Sequence, residues 1–207
     1  MKFENVKGSI VALVTPFCED GSVNFDALTN LIEWHIAEGT DAILTLGTTG
    51  EYSTMTHEED DAVVRCVLET VNGRIPVICG AGSNSTQTQL EKSRKYHDMG
   101  ADGLLLITPY YNKANDEGMY RHFSQTADAV SVPCILYNVP SRSGMDIPVS
   151  VYQCLAQIPN IAGVKEASTD ISKIAKIKAA CPHSFAVWSG NDDQAAAVIS
   201  LGGCGVI

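Results

Sequence analysis

A lysine at the end of an apolar segment is the residue of this sequence with the clearest capacity for covalent chemistry. Lys165 follows the apolar segment 161–164 and precedes Glu166. Burial of an ammonium group disfavours its charged form, and an amine that is partly neutral near pH 7 attacks carbonyl carbons and forms Schiff bases. The same pattern fits a lysine that pairs with Glu166 or extends its ammonium group to solvent. This segment alone leaves both interpretations open.

Hydroxyl groups follow two other apolar segments. Thr48 and Thr49 stand between Gly47 and Gly50, and Tyr137 ends a later segment. The glycine-flanked turn suits a carboxylate site because backbone N–H groups at a helix entrance bind anions, although a simple tight turn has the same sequence. The phenol of Tyr137 is suited to proton transfer beside a Schiff base, and it also fits a core aromatic residue with a solvated hydroxyl.

A loop arginine and a pair of tyrosines are further candidates. Arg142 lies among serine and glycine residues, with Asp146 as its one acidic neighbour in the sequence. A guanidinium group in such a loop is suited to bidentate capture of a substrate carboxylate, and a solvated loop arginine is the alternative. Tyr110 and Tyr111 follow another apolar segment, where packing at an interface is compatible with a catalytic role for one of them.

Eight short apolar segments alternate with segments of helical periodicity along the chain. Each segment is apolar throughout rather than alternating, which is typical of parallel strands that are covered by helices. Eight such units favour a closed (β/α)8 barrel over an open doubly wound sheet. The glycine-rich phosphate-binding fingerprints that would favour nucleotide binding are missing from the sequence. The predicted strands are 9–15, 42–46, 76–80, 103–108, 134–137, 161–166, 185–189 and 203–207.

This fold prediction brings the candidate residues to one rim. The active site of a (β/α)8 barrel lies at the C-terminal ends of its strands, and every candidate above is at or just after a predicted strand end. Gly190 and Asn191, which follow the seventh strand, join them. We expect residues 1–207 to form a single (β/α)8 barrel domain that is truncated at its C-terminus, ends within strand eight and lacks the final barrel helix.

The composition excludes several classes of function. Fourteen Lys and Arg against 24 Asp and Glu give the 207 residues a net charge of −10, which opposes nucleic-acid binding. No apolar run reaches the ~18 residues that a membrane helix requires, and the first residues lack the layout of a signal peptide. The seven cysteines contain no C-x-x-C pair, and the histidines have no metal-ligand spacing. We expect a cytoplasmic protein with buried thiols, no membrane association and no metal site.

Three motifs at the predicted strand ends carry a resemblance to a known family. They are Gly-Thr-Thr-Gly-Glu at 47–51, Tyr-Asn-Val-Pro-Ser-Arg-Ser-Gly at 137–144 and Gly-Val-Lys-Glu-Ala at 163–167. In this order they resemble the dihydrodipicolinate synthase/N-acetylneuraminate lyase family of pyruvate-dependent class I aldolases. The resemblance extends over residues 7–207 and implies the same barrel fold.

The resemblance implies a covalent mechanism with a proton relay. Lys165 is similar to the family lysine that forms a Schiff base with pyruvate, and Tyr137 to the general acid/base that relays protons. Thr48 resembles the hydroxyl that links Tyr137 to Tyr111. Tyr111 would then enter the active site of a neighbouring subunit.

The same resemblance implies two substrate subsites. Thr49 and the backbone of Ile207 would bind pyruvate. Gly190 and Asn191 would line the site of the second substrate, and Arg142 would hold the carboxylate of L-aspartate-4-semialdehyde.

Within the family, Arg142 and the adjacent Tyr110 and Tyr111 favour the condensation of pyruvate with L-aspartate-4-semialdehyde. This lyase reaction belongs to diaminopimelate and lysine biosynthesis, and it implies no cofactor because the lysine–pyruvate imine carries the chemistry. The resemblance also implies a homodimer, with a dimer-of-dimers tetramer in doubt because the family's C-terminal helical extension is missing. The alternatives are an aldolase that acts on a sugar acid, like N-acetylneuraminate lyase, and a non-catalytic barrel homologue.

Overall fold

Eight parallel strands close into a barrel in the computed structural model, which describes residues 6–207. Each strand pairs with its neighbours in the sequence, and β8 closes the barrel by pairing with β1. This arrangement confirms the predicted (β/α)8 barrel. The strands are β1 Gly8–Ala12, β2 Ala42–Thr45, β3 Val77–Gly80, β4 Gly103–Ile107, β5 Cys134–Asn138, β6 Ile161–Glu166, β7 Ala186–Ser189 and β8 Gly205–Val206.

Helices follow the first seven strands and cover the outside of the barrel. Their starts are set by local capping: Asn24 accepts a hydrogen bond from the Ala27 N–H at 2.9 Å, and Thr56 and Glu59 form the predicted capping box. Gly100 ends one helix in the left-handed region at φ +101°, as a glycine readily does. The helices are α1 Phe25–Ala37, α2 His57–Val71, α3 Thr86–Met99, α4 Asp116–Asp128, α5 Pro140–Ser143, α6 Val149–Leu155, α7 Ile171–Ala180 and α8 Ala195–Ser200.

Two apolar layers stabilise this arrangement. The larger layer lies between the strands and the helices and includes Leu28, Val64 and Phe123, all fully buried. The smaller layer fills the inside of the barrel and contains Leu44 and Trp188 among its buried members. Because side chains occupy the barrel interior, a substrate can reach the strand ends but cannot pass through the barrel.

Two local predictions were wrong. The segment after β5 was predicted as a loop, but Pro140–Ser143 forms the one-turn helix α5, which Pro140 favours at its first position. The first strand was predicted to continue to Thr15 but ends at Ala12. The Thr15 hydroxyl instead donates a hydrogen bond of 2.7 Å to the Gly50 carbonyl.

Within residues 6–207, none of the helices combines the length and the apolarity that a bilayer crossing demands.

Candidate active site

The pairing of β5 with β6 brings the two central candidate residues together. Tyr137 and Lys165 are register partners near the C-terminal ends of their strands. The Lys165 ammonium nitrogen lies 4.7 Å from the centroid of the Tyr137 ring. This contact places an amine and a phenol side by side at the rim of the barrel.

A cleft of about 730 Å³ opens above these two residues at the C-terminal face of the barrel. The predicted site residues from five different strand ends line it, which confirms that the strand-end rule gathers them. They are Thr48, Thr49, Tyr137, Arg142, Lys165, Gly190, Asn191 and Ile207.

Tyr111 lies outside this cleft. Its side chain is 90% exposed, and its backbone adopts the left-handed region at φ +69°. A non-glycine residue rarely adopts this conformation. Within one chain, therefore, the loop after β4 presents Tyr111 to solvent, and its predicted role in a neighbouring site stays a prediction.

Lys165 is a buried amine without a carboxylate partner. Its side chain is 7% exposed, and it forms none of the ion pairs found among residues 6–207. The pKa of Lys165 is lowered to about 8, chiefly because the amine is buried and in smaller part because of the positive charge of Arg142, while the negative charge of Asp192 acts in the opposite direction. A substantial fraction of this amine is therefore neutral, and hence nucleophilic, close to physiological pH.

Tyr137 has the environment of a proton carrier that stays protonated at rest. Burial raises the pKa of the phenol, while a hydrogen bond with Thr48 and the charge of Arg142 act in the opposite direction. Because the Thr48 hydroxyl can both donate and accept, it can pass a proton between Tyr137 and the cleft.

The turn that carries Thr48 and Thr49 has an unusual backbone. Leu46 lies in the left-handed region at φ +54° and turns the chain out of β2 into a 3₁₀ turn at Thr48–Gly50. Gly80 of the neighbouring strand accommodates this bend, because a Cβ at Gly80 would lie 2.0 Å from the Leu46 carbonyl oxygen. The first N–H groups of such a turn lack partners within it and are available to an anion.

A network of buried polar groups behind the cleft fixes β5 against β6. Glu166 is 2% exposed and points away from the cleft, as its position after Lys165 predicts. It accepts hydrogen bonds from the Asn138 amide at 2.8 Å and the Tyr152 hydroxyl at 2.9 Å. Asn138 also donates to Asp146 at 2.8 Å. Through this network, the segment after α5 helps to hold Tyr137 and Lys165 in register.

Replacing Glu166 with glutamine is expected to destabilise the fold by about 1–3 kcal/mol. A buried carboxylate with several donors would be exchanged for an amide that accepts through one oxygen only, so one buried donor loses its acceptor. Urea unfolding followed by circular dichroism measures the difference. The matched control is Glu117→Gln, because Glu117 pairs with Arg121 on the exposed face of α4. This substitution should change the free energy of unfolding by less than ~0.5 kcal/mol. Equal effects of the two variants would contradict the role of the network.

Asn138 and Asp192 were given no role in the site on the sequence alone, and Asn191 was placed in the second-substrate site without its structural role. Asn138 has a clear signal in retrospect, since it follows Tyr137 on the opposite face of the same strand. Asn191 lines the cleft, but its amide donates to the Ser168 carbonyl at 3.0 Å and to Gln194 at 3.2 Å. Its amide therefore shapes the turn after β7, and the neighbouring Asp192 also lines the cleft.

Gly190 provides space for the lysine. A Cβ at this position would lie 2.8 Å from the Ala167 Cβ and 3.1 Å from the Lys165 Cε. Any larger residue would displace the Lys165 side chain, so this glycine is required by packing against the amine.

In the part of the chain that the structure describes, no cluster of three or more His, Cys, Asp or Glu side chains has the geometry of a metal site. The polar chemistry of the cleft described above consists of amine, phenol, hydroxyl, guanidinium and carboxylate groups.

Comparison with known proteins identifies the relatives of this chain. The model of the dihydrodipicolinate synthetase family matches residues 5–207. The 4-hydroxy-tetrahydrodipicolinate synthase of Clostridium perfringens strain 13 is 52% identical over 201 residues, which cover 97% of this chain and 69% of the relative. The synthase of Thermoanaerobacter sp. strain X514 is also 52% identical, with 97% and 68% covered.

Solved structures agree with these sequences. The dihydrodipicolinate synthase of Aquifex aeolicus superimposes with a TM-score of 0.95 at 44% identity, covering 97% of this chain and 69% of that one. The chloride-inhibited synthase of Acinetobacter baumannii, solved in complex with pyruvate, gives 0.96 at 45% identity, with 98% and 70% covered. The chain thus spans somewhat more than two thirds of the length of these relatives.

Proposed function

This chain belongs to the dihydrodipicolinate synthetase family, and on that premise we propose that it condenses pyruvate with L-aspartate-4-semialdehyde to form 4-hydroxy-tetrahydrodipicolinate. It is an enzyme of the lyase class that acts in diaminopimelate and lysine biosynthesis. The observation that carries the proposal is the buried Lys165 amine, whose pKa is about 8, beside the Tyr137 ring in an open cleft. An amine in this environment is suited to Schiff-base formation.

The reaction begins with the activation of pyruvate. The neutral Lys165 amine attacks the pyruvate carbonyl carbon, and the resulting carbinolamine loses water to give an imine. Tyr137 delivers the proton that the departing hydroxyl requires, and Thr48 restores it. Thr49 and the backbone of Ile207 hold the pyruvate carboxylate. Loss of a methyl proton then converts the imine into an enamine, which is a carbon nucleophile.

The second substrate is captured from the other side of the cleft. Arg142 binds its carboxylate, and the enamine attacks its aldehyde carbon to form the new carbon–carbon bond. The ammonium group of the second substrate then loses a proton to the Tyr137–Thr48 relay, and the resulting amine attacks the imine carbon and displaces Lys165 as its free amine, which regenerates the enzyme. Gly190 keeps the space above Lys165 open for this exchange. In a dimer, Tyr111 of the second copy would extend the proton relay through Thr48.

The test is covalent trapping on the intact chain. Treatment with pyruvate and sodium borohydride should convert Lys165 to N-(1-carboxyethyl)lysine, detected by peptide mass spectrometry. The trapped chain should also lose turnover of L-aspartate-4-semialdehyde. An unmodified Lys165 in a chain that circular dichroism shows to be folded, or an adduct on a different lysine, would overturn the proposal. Turnover of N-acetylmannosamine with pyruvate, but not of the semialdehyde, would indicate a sugar-acid aldolase instead.

The trapping rate is expected to rise with pH through a midpoint of about 8. Only the neutral amine is a nucleophile, and its fraction grows as the pH passes the pKa of Lys165, which burial lowers to about 8. At pH 7 about one tenth of the amine is then neutral, whereas an ordinary lysine with a pKa of ~10.4 would be almost fully charged. Initial trapping rates between pH 6 and 10 measure this midpoint. A midpoint near that of an exposed lysine would show that burial does not control the amine.

A further inference from the structure

Asp192 is the only acidic residue among the described residues that line the cleft, whose cationic members are Lys165 and Arg142. It begins the 3₁₀ turn Asp192–Gln194 after β7 and is exposed. In the described range its carboxylate takes part in no side-chain hydrogen bond and no ion pair. Among the described residues, the cleft therefore contains one carboxylate without a bonding partner and two cationic side chains.

The turn that carries Asp192 is held firmly. The Asn191 amide donates to the Ser168 carbonyl at 3.0 Å, and the Ser189 hydroxyl donates to the Asn191 carbonyl at 2.8 Å. Gln194 reaches across to the Thr169 carbonyl at 3.2 Å. These bonds fasten the end of β7 to the segment after β6, so the position of the Asp192 backbone relative to Lys165 is fixed. A carboxylate on a rigid turn can select a ligand charge without first being ordered.

The proposed second substrate carries three groups that the cleft has to receive. Its aldehyde meets the enamine on Lys165, and its carboxylate meets Arg142. Its ammonium group requires an anion or a set of acceptors. Of the described residues that line the cleft, only Asp192 supplies a negative charge.

We propose that Asp192 binds the ammonium group of the second substrate and thereby makes the cleft selective for aldehyde acids that carry an amine. This inference rests on the proposed function and assigns a specificity residue to the same site. Without this carboxylate, the positive charge of Arg142 would favour any aldehyde acid of the right length. When the carboxylate is present, an aldehyde acid that lacks the ammonium group leaves Asp192 without a partner.

The experiment compares a substrate with an inhibitor that differs from it only by the missing ammonium group. The KM of L-aspartate-4-semialdehyde and the inhibition constant of its des-amino analogue, succinate semialdehyde, are measured for the unmodified chain and for Asp192→Asn. The variant should raise the KM of the amino substrate about 5- to 30-fold, the range between an exposed and a partly desolvated charge pair. The inhibition constant of the analogue should stay within about twofold.

Two further variants make the test specific. Asp193→Asn removes the neighbouring exposed carboxylate, which does not line the cleft, and should change neither constant. Asp192→Glu keeps the charge and should retain most of the discrimination, which also guards against a folding defect in the asparagine variant. Equal changes of both constants in Asp192→Asn, or an equal effect of Asp193→Asn, would overturn the inference.

The outcome is separable from that of the proposed function. If pyruvate and borohydride leave no adduct on Lys165 in the chain without substitutions, the proposed function fails and this inference fails with it. If Lys165 is modified and the semialdehyde is consumed, but Asp192→Asn does not distinguish the two ligands, the inference fails alone.

Discussion

Replacement of Lys165 by arginine is expected to lower turnover of pyruvate and L-aspartate-4-semialdehyde by about 10⁴-fold or more. A guanidinium group stays protonated at every accessible pH and cannot form an imine, so the covalent route is lost entirely. Removal of one member of a cooperating catalytic set typically costs this much. The measurement is kcat at saturating substrates, together with the loss of the borohydride adduct.

Lys173 provides the matched control because it is a second buried lysine with a different partner. Lys173 is buried like Lys165, but it forms an ion pair with Asp146. An ammonium group that is engaged by a carboxylate is not available to attack a carbonyl carbon. Lys173→Arg should therefore keep both the adduct on Lys165 and most of the turnover. Loss of the adduct in Lys173→Arg, or residual adduct in Lys165→Arg, would contradict the assignment of the nucleophile.

Replacement of Arg142 by alanine is expected to reduce kcat/KM for L-aspartate-4-semialdehyde by about 10- to 100-fold while the pyruvate adduct still forms. Arg142 lines the cleft, is exposed and forms no ion pair with another described residue, so its guanidinium group is available to a ligand. A charge-assisted hydrogen bond to a carboxylate is worth ~1.5–3 kcal/mol, which corresponds to this range. Steady-state kinetics with each substrate varied in turn separate the two half-reactions.

Arg142→Lys is the conservative comparison. It keeps the positive charge but replaces the planar fork with a point charge, so it should recover only part of the lost kcat/KM. The alanine variant should also raise the midpoint of the trapping profile, because the positive charge of Arg142 lowers the pKa of Lys165. An unchanged kcat/KM in Arg142→Ala would remove Arg142 from the second-substrate site.

The order and type of the elements follow from short-range patterns. The capping box of Thr56 and Glu59 begins α2, and Gly100 ends α3, because the hydrogen bonds involved span only a few residues. The one-turn helix α5 at Pro140–Ser143 was missed because four residues are too few to display helical periodicity. The early end of β1 was missed because Thr15 bonds to the distant Gly50 instead of continuing the strand.

The placement of the candidate residues at one rim was also predictable, although their burial, charge and bonding partners were not. Parallel strands share one direction, so residues after strand ends converge whatever the details of packing. Lys165, Tyr137 and Arg142 were found in this way. The participation of Tyr111 concerns a second chain, and it stays a prediction.

The sequence by itself thus determined the eight strands of the barrel, a common rim and the set of reactive groups on it, because strand pattern and strand direction are local properties of the chain. Only the tertiary structure decided that Lys165 lacks a carboxylate partner among the described residues while Lys173 has one, that Glu166 and Asn138 bond behind the cleft, and that Asp192 lines the same cleft as Lys165. The reason is physical: burial and charge at one atom are sums over neighbours from the whole barrel. The low pKa of Lys165 arises from the burial that the closed barrel imposes on its amine.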